Sequence, residues 1–300
     1  MRVIVLGAAA GGGFPQWNCN SPASRRARDA DPFVRPRTQA SLAVSGNGVA
    51  WYLLNASPDL REQISRTCEL HPRDGLRSSP INGILLTGGD VDVIAGLLTL
   101  RERQAFTVYA SAPVHALLDD NPIFEVLARD VVNRNIVQLD EPFALGDDLE
   151  ATLFAVPGKV PLFMEKTDGM QAIVTDGTTV GAMISDGRHR IAFIPGCAAM
   201  TDELAARLDG VDLLFFDSTL WCDDEMIRAG LGAKTGLRMG HMSLNGAGGT
   251  IAALAGLAIG RRVAIHINNS NPVLLDDSPE RAAVEAAGWT VPEDGMEFVL

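Results

Sequence analysis

Gly83-Ile84-Leu85-Leu86-Thr87-Gly88-Gly89-Asp90-Val91-Asp92-Val93 is the stretch whose reading decides the fold. Gly83 to Leu86 reads as an apolar strand, and Val93, Leu97 and Leu100 then recur at helical spacing, so a helix follows over Val93 to Arg101. Between them lies a glycine-bearing turn with two carboxylates. Side chains at i and i+2 of an extended segment point the same way, so Asp90 and Asp92 could converge on one cation. The competing reading makes Asp92 a helix cap and Asp90 a solvated turn residue. Both readings stay open on these residues alone.

Working outward, strands are expected at Arg2 to Gly7 and at Ala40 to Ser45 and Ala50 to Asn55, the last two flanking the hairpin-like Gly46-Asn47-Gly48. A short helix follows Ser57-Pro58. Further strands are expected at Phe106 to Tyr109, Glu150 to Val156, Gln171 to Thr175, Val180 to Ser185, Arg190 to Ile194, Val211 to Phe216, Arg262 to Ile267 and Met296 to Leu300. Helices are expected near Val114 to Leu118, Ile123 to Val132, Asp202 to Leu208, Ser243 to Leu257 and Pro279 to Ala287. Hairpins early and helical crossovers later imply mixed sheets with helices on their outer faces, a layered α/β architecture. No repeat or linker divides the chain, so residues 1–300 read as one domain.

Composition narrows the partners. The 300 residues carry 25 Lys and Arg against 37 Asp and Glu, a formal charge of −12, which argues against nucleic acid or an anionic membrane. The longest apolar runs, such as Ala252 to Ile259, fall well short of the roughly 20 residues of a membrane span. With 47% hydrophobic residues the chain has material for a large core. The four cysteines, Cys19, Cys68, Cys197 and Cys222, form no CxxC pair and read as reduced thiols, consistent with a cytoplasmic protein.

Only five histidines exist, so a metal site has few sources. In Arg262 to Ile267, alternation puts His266 on one face with Asn268, near a strand end where sites collect. His241 lies in a glycine-containing loop, Gly236 to Ser243, that feeds a helix. Asp217 closes the apolar run Val211 to Phe216, where a carboxylate needs a cation, an arginine or backbone donors beside it. Each has a bland counterpart: a hydrogen-bonded core histidine, an exposed loop histidine, a satisfied carboxylate. Cys197 has no histidine adjacent in sequence to act as its base, and reads as a buried inert thiol. The glycines of Gly7 to Gly13 miss the GxGxxG spacing of a dinucleotide loop, so a structural or substrate-lining turn is expected there.

Taken together, the longer strings resemble the pyrroloquinoline quinone (PQQ) biosynthesis protein B family of the metallo-β-lactamase superfamily. The resemblance is carried by Gly11-Gly12-Gly13-Phe14-Pro15-Gln16-Trp17-Asn18-Cys19, Arg35-Pro36-Arg37-Thr38-Gln39, Asn55-Ala56-Ser57-Pro58-Asp59 and Gly96-Leu97-Leu98-Thr99-Leu100-Arg101-Glu102. It continues in Val156-Pro157-Gly158-Lys159-Val160-Pro161, Asp223-Asp224-Glu225-Met226-Ile227-Arg228, Lys234-Thr235-Gly236, Met239-Gly240-His241-Met242 and Ile265-His266-Ile267-Asn268-Asn269-Ser270-Asn271-Pro272.

The resemblance implies a four-layer αββα sandwich with a metal cleft at one edge, and a place in making PQQ from a Glu-Tyr precursor. The implied activity is iron-dependent hydroxylation of the tyrosine ring; a carrier that binds PQQ or its precursor without turnover, and a metal-dependent hydrolase, are the alternatives. Iron(II) is the implied metal and zinc the second choice. The implied ligands come from Asp90, Asp92, Asp217, His241 and His266, with Asp92, His266 and His241 foremost. The superfamily's HxHxDH motif falls on Gly88, Asp90, Asp92 and Val93, and valine cannot coordinate. Lys159 and Cys197 lie where hydrolases of this fold place further ligands. The family's CxCxxC element becomes Cys19, Ser21 and Ser24, too few thiolates for structural zinc. Arg35, Arg37, Arg238, Lys159 and Asn268 are the expected substrate contacts, guanidinium matching the precursor's carboxylates. The expected partner is a small molecule or dipeptide, and the assembly leaves room for a homodimer.

Overall fold

The computed structural model describes residues 1–146, 149–159 and 173–300. In the first sheet, β1 (Arg2–Gly7), β2 (Ser41–Ser45), β3 (Trp51–Leu54), β4 (Ile81–Leu85), β5 (Phe106–Ala110) and β6 (Val132–Ile136) lie in chain order. The second takes β7 (Phe143–Gly146), β8 (Leu149–Ala155), β9 (Val180–Ser185), β10 (Arg190–Ile194), β11 (Leu213–Asp217), β12 (Arg261–Ile265) and β13 (Trp289–Thr290). The final strand, β14 (Glu297–Val299), then returns to pair antiparallel with β1. Each sheet runs antiparallel on one side and parallel on the other. In the first, β1 to β3 are antiparallel and β3 to β6 parallel. In the second, β7 to β10 are antiparallel and β10 to β13 parallel.

Alternation along the strands sorts the side chains into three apolar layers. Val3, Val5, Leu42, Leu54 and Leu85 meet Leu153, Ile184, Phe193, Phe215 and Val263 between the sheets. On the outer face of the first sheet, Leu53, Ile84 and Val108 pack with Leu60 of α2 (Leu60–Arg66) and Val114 and Leu118 of α4 (Ala112–Asp120). On the outer face of the second, Ala192, Leu214, Phe216 and Ala264 pack with Leu204 and Leu208 of α5 (Asp202–Leu208) and Val284 of α8 (Pro279–Ala286). The result is the αββα sandwich. Among the described residues no helix is long and apolar enough to cross a membrane.

Several expected elements differ. The segment read as a helix over Ile123 to Val132 is a short 3₁₀ turn, Pro122–Val126, followed by β6. The helix expected over Ser243 to Leu257 shrinks to α7 (Thr250–Leu254), because Gly246, Gly248 and Gly249 precede it and glycine is a poor helix former. The helix after the Asp90 turn is α3 (Val91–Ile94), which tightens into a 3₁₀ stretch, Ala95–Leu100. Of the strand expected over Gln171 to Thr175, residues 171–172 lie outside the described residues and Val174 forms an isolated bridge with Gly158. Pro22–Arg28 forms a helix, α1, that periodicity did not announce.

The segment before β14 is tied to the chain that supports the glycine turn after β1. Asp294 Oδ2 accepts the Thr38 N–H at 2.8 Å, and Gln39 Oε1 in turn accepts the Gly12 N–H at 3.0 Å in the glycine turn. Burial pushes the Asp294 carboxyl up to about 6, above its ordinary range. Between about pH 4 and about pH 6 the folded chain therefore holds a proton that the unfolded chain has released, so this group costs stability as pH rises through that window. Asp294→Asn is expected to remove a downward component of roughly 1–3 kcal/mol from unfolding free energy over that window. Denaturant titrations at several pH values check it; parallel profiles for the two proteins would contradict it.

Candidate metal centre

Three parallel strands of the second sheet deliver their C-terminal ends to one edge. Asp217 ends β11, opposite Ile265 at the end of β12, and His266 follows immediately. Asp217 is wholly buried, so its charge has to be met by donors. The Cys197 N–H, after β10, reaches Oδ2 at 2.9 Å; the Thr219 N–H and hydroxyl reach Oδ1 at 3.1 and 2.7 Å. The His241 ring meets Oδ2 through Nδ1 at 2.8 Å.

His266 does not continue the strand. Its backbone turns into the left-handed region, φ 59°, which breaks the alternation expected to put it on a face with Asn268. The turn stacks its ring on that of His241, with centroids 5.1 Å apart, and brings Nε2 to 2.9 Å from Asp92 Oδ2. Asp92 comes from the first sheet, on α3 just beyond β4. That turn is seated by Gly96, whose N–H donates to Ala56 O at 2.8 Å and where a Cβ would lie 2.1 Å from Ser57 O. Asp90, not Asp92, occupies the helix N-cap, and its side chain makes no capping bond.

Thr219 joins the cluster. Its hydroxyl lies 2.8 Å from His266 Nδ1 and 3.1 Å from His241 Nδ1. A hydroxyl has one proton; with that proton given to Asp217, Thr219 accepts from His266 Nδ1–H. The other nitrogen of His266 then faces the Asp92 carboxylate, an arrangement that needs positive charge there, as a proton on Nε2 or a cation in its place. Burial alone would push the His266 ring down and the Asp92 carboxyl up, but their mutual hydrogen bond and charge win, so His266 is raised and Asp92 lowered from their ordinary values. Asp217, His241 and His266 can each offer one donor atom within 4.8 Å of the others. Two imidazoles and a carboxylate, with Asp92 beside them, suit a divalent transition metal.

His241, His266 and Thr219 line a cleft of about 490 Å³, with Asp217 buried behind them. Its walls include Asp90, Asp92, Val93, Lys159, Lys234, Gln16, Met226, Met239 and Asn268. Of the expected substrate contacts, Lys159 and Asn268 line this cleft and the three arginines do not. Arg35 pairs with Glu293 at 2.8 Å, and Arg238 is exposed on a 3₁₀ turn. Arg37 is buried and donates to the carbonyls of Pro292 and Arg35 at 2.8 and 2.7 Å, a structural use of its planar fork. Cys197 holds its sulfur toward Ala199 O at 3.2 Å, and burial with the Asp217 charge pushes its thiol up to about 12. Of the CxCxxC positions, Cys19 is buried and Ser21 serves as the N-cap of α1. Thr219, Gln16 and Lys234 went unassigned by residue type; the Asp217-Ser218-Thr219 spacing, with a hydroxyl two residues from a strand-ending carboxylate, was the available signal for the first.

A model of the β-lactamase superfamily domain matches residues 50–267. The coenzyme PQQ synthesis protein B of Gluconacetobacter diazotrophicus is 61% identical, over 99% of this chain and 98% of that protein. The chain belongs to the coenzyme PQQ synthesis protein B family. The crystal structure of Zn²⁺-bound PqqB from Methylobacterium extorquens superposes with a TM-score of 0.98 at 56% identity, covering 100% of both chains. A diphosphatase of the PhnP family, at TM-score 0.69 and 19% identity over 100% of this chain and 97% of its own, shares the fold. The metallo-β-lactamase fold expected from the resemblance is therefore shown.

Within this family member, Thr219→Val tests the role of the hydroxyl that ties both rings to Asp217. Loss of such a supporting hydrogen bond is expected to weaken metal affinity by about 10–100-fold with the fold retained. Competitive metal titration with circular dichroism checks it, and unchanged affinity would contradict it.

Proposed function

We propose that the chain hydroxylates the tyrosine ring of a Glu-Tyr-derived PQQ precursor, with iron(II) held by Asp217, His241 and His266 and with Asp92 bearing on His266. The observation that carries this reading is the pairing of two imidazoles that line the cleft with the buried Asp217 carboxylate behind them, a donor set that leaves positions for dioxygen and substrate. Zinc in the Methylobacterium extorquens protein supports a divalent cation in this family. Family membership supports the place in PQQ synthesis. Iron bound here would supply the reaction with dioxygen that an aromatic C–H requires.

The chain's own residues bind and orient. Lys159 and Lys234 line the cleft and suit the precursor's carboxylates, the task first expected of arginines. Met226, Met239, Pro195 and Val93 give the ring an apolar wall that limits water. Gln16 and Asn268 offer amides for its polar groups. Val93 occupies the position of the superfamily histidine, so the metal is assigned to donors from the second sheet. The precursor is proposed as the small-molecule partner, and the cytoplasm as the place of action.

Anaerobic reconstitution with iron(II) is expected to give about one iron per chain, and exposure to dioxygen with the precursor and a two-electron reductant such as ascorbate to give a product heavier by one oxygen atom, the second oxygen leaving as water. His266→Ala should lose the iron. Full retention in that variant, or stoichiometric iron without oxygen transfer, would contradict the reading. Val93→His should leave occupancy at about one, because the trio already suffices; iron bound only after that substitution would move the site to the first sheet's motif.

A further inference from the structure

One cleft wall is set by a carboxyl outside the metal cluster. Glu225, first residue of α6 (Glu225–Arg228), is only 8% exposed. Its Oε2 accepts the Trp221 N–H at 2.7 Å and its Oε1 accepts the Ser270 hydroxyl at 2.5 Å. Ser270 Oγ lies also 2.5 Å from Asn268 Nδ2. Asn268 lines the cleft with His266 and Met226.

The chemistry of these groups sets the direction of every bond. A carboxylate only accepts, so the single Ser270 proton must go to Glu225. The hydroxyl can then only accept from Asn268, which forces the NH₂ of that amide toward Ser270. Asn268 Oδ1 is left with one long contact, 3.5 Å from Asn269 Nδ2, and a lone pair to spare. Asn269 is itself anchored by donating to Gln16 Oε1 at 2.5 Å, across the cleft's other rim.

We infer that Glu225 is a positioning residue which, through Ser270, locks the Asn268 amide with its oxygen available to the cleft, so that this wall selects a substrate presenting a hydrogen-bond donor there. A phenolic hydroxyl meets that requirement; an ether oxygen does not. The inference rests on the reading of this cleft as the precursor site, but the polarity of the amide is a property of the protein alone.

Glu225→Gln tests it with little change of volume. Trp221 N–H still needs an acceptor, so the new amide turns its oxygen there and its NH₂ toward Ser270. Ser270 then accepts and its proton is freed, so the elimination that fixed the Asn268 amide no longer holds: its oxygen now competes for Ser270, and the wall loses its fixed acceptor. Two measurements at pH 8 read this in metal-free and anaerobic iron-loaded protein. In ¹⁵N-asparagine-labelled protein, the Asn268 side-chain NH₂ pair, assigned by its loss in Asn268→Asp, should have a hydrogen-exchange-protected proton in the wild type. That protection should weaken in Glu225→Gln and disappear in Ser270→Ala. In calorimetric titrations, the Glu-Tyr dipeptide should bind Glu225→Gln about tenfold more weakly, while its tyrosine O-methyl ether binds no worse than to the wild type.

An NH₂ pair that is unprotected in the wild type, or that keeps its protection in Ser270→Ala, would overturn the inference whatever the ligands do. A dipeptide and ether weakened equally would overturn the selection of donors. A dipeptide that fails to bind wild-type protein would instead count against the precursor reading, and the labelled amide would still decide the polarity. Iron occupancy should stay unchanged in Glu225→Gln, which separates this role from a general loss of structure.

Discussion

A carboxylate with no exposed surface at the end of an apolar strand is the constraint around which the centre is organised. Asp217 follows Leu213, Leu214, Phe215 and Phe216, all buried, so leaving it unpaired would cost several kcal/mol. Its answer is drawn from three segments: the Cys197 amide after β10, Thr219 just beyond β11, and the His241 loop. Each donor that satisfies Asp217 also fixes a loop. The same hydroxyl of Thr219 then reaches His266, so the demand of one carboxylate extends to the ring after β12. Satisfying a buried charge and assembling a ligand cluster are one structural event.

The sheets make that convergence possible. Parallel pairing of β10, β11 and β12 places three C-terminal ends on one edge, and the parallel half of the first sheet sends the turn after β4 to meet them. The first sheet contributes acidic groups, Asp90 and Asp92, while both cluster histidines come from the second. The His266–Asp92 contact at 2.9 Å is therefore a bond between halves of the sandwich. It also explains the unusual backbone of His266: a left-handed residue costs of order 1–3 kcal/mol, and here it aims the ring at Asp92 and Thr219 together.

Much of this was legible in the sequence where polarity ended an apolar run. Asp217 ends a strand, His266 stands just past one and Asp92 follows the turn after another; His266 meets Asp92 directly and Asp217 through Thr219. The face assigned to His266 by alternation was not, because the strand stops at Ile265, two residues short of the expected Ile267, and φ changes sign at His266. Residue type misled for Arg35, Arg37 and Arg238: a guanidinium suits a substrate carboxylate, but it suits backbone carbonyls and Glu293 equally well, and only the fold decides. Thr219 and Glu225 were hidden for the opposite reason. A hydroxyl carries no motif, and Glu225 sits in the acidic run Asp223-Asp224-Glu225, which resembles a solvated surface until burial and the bond to Ser270 are seen. The helix expected from Ser243 was cut back to Thr250–Leu254 by the glycines before it, whose conformational cost delays the helix until the alanine and leucine pattern begins.

Anomalous diffraction at the iron edge, from crystals of protein loaded anaerobically with iron(II), tests the central claim most directly. The account predicts one strong peak within coordination distance of Asp217, His241 and His266, at about 2.0–2.3 Å from nitrogen and oxygen donors. A peak confined to the Gly88 to Val93 turn, or full crystals with no peak at the cluster, would contradict it.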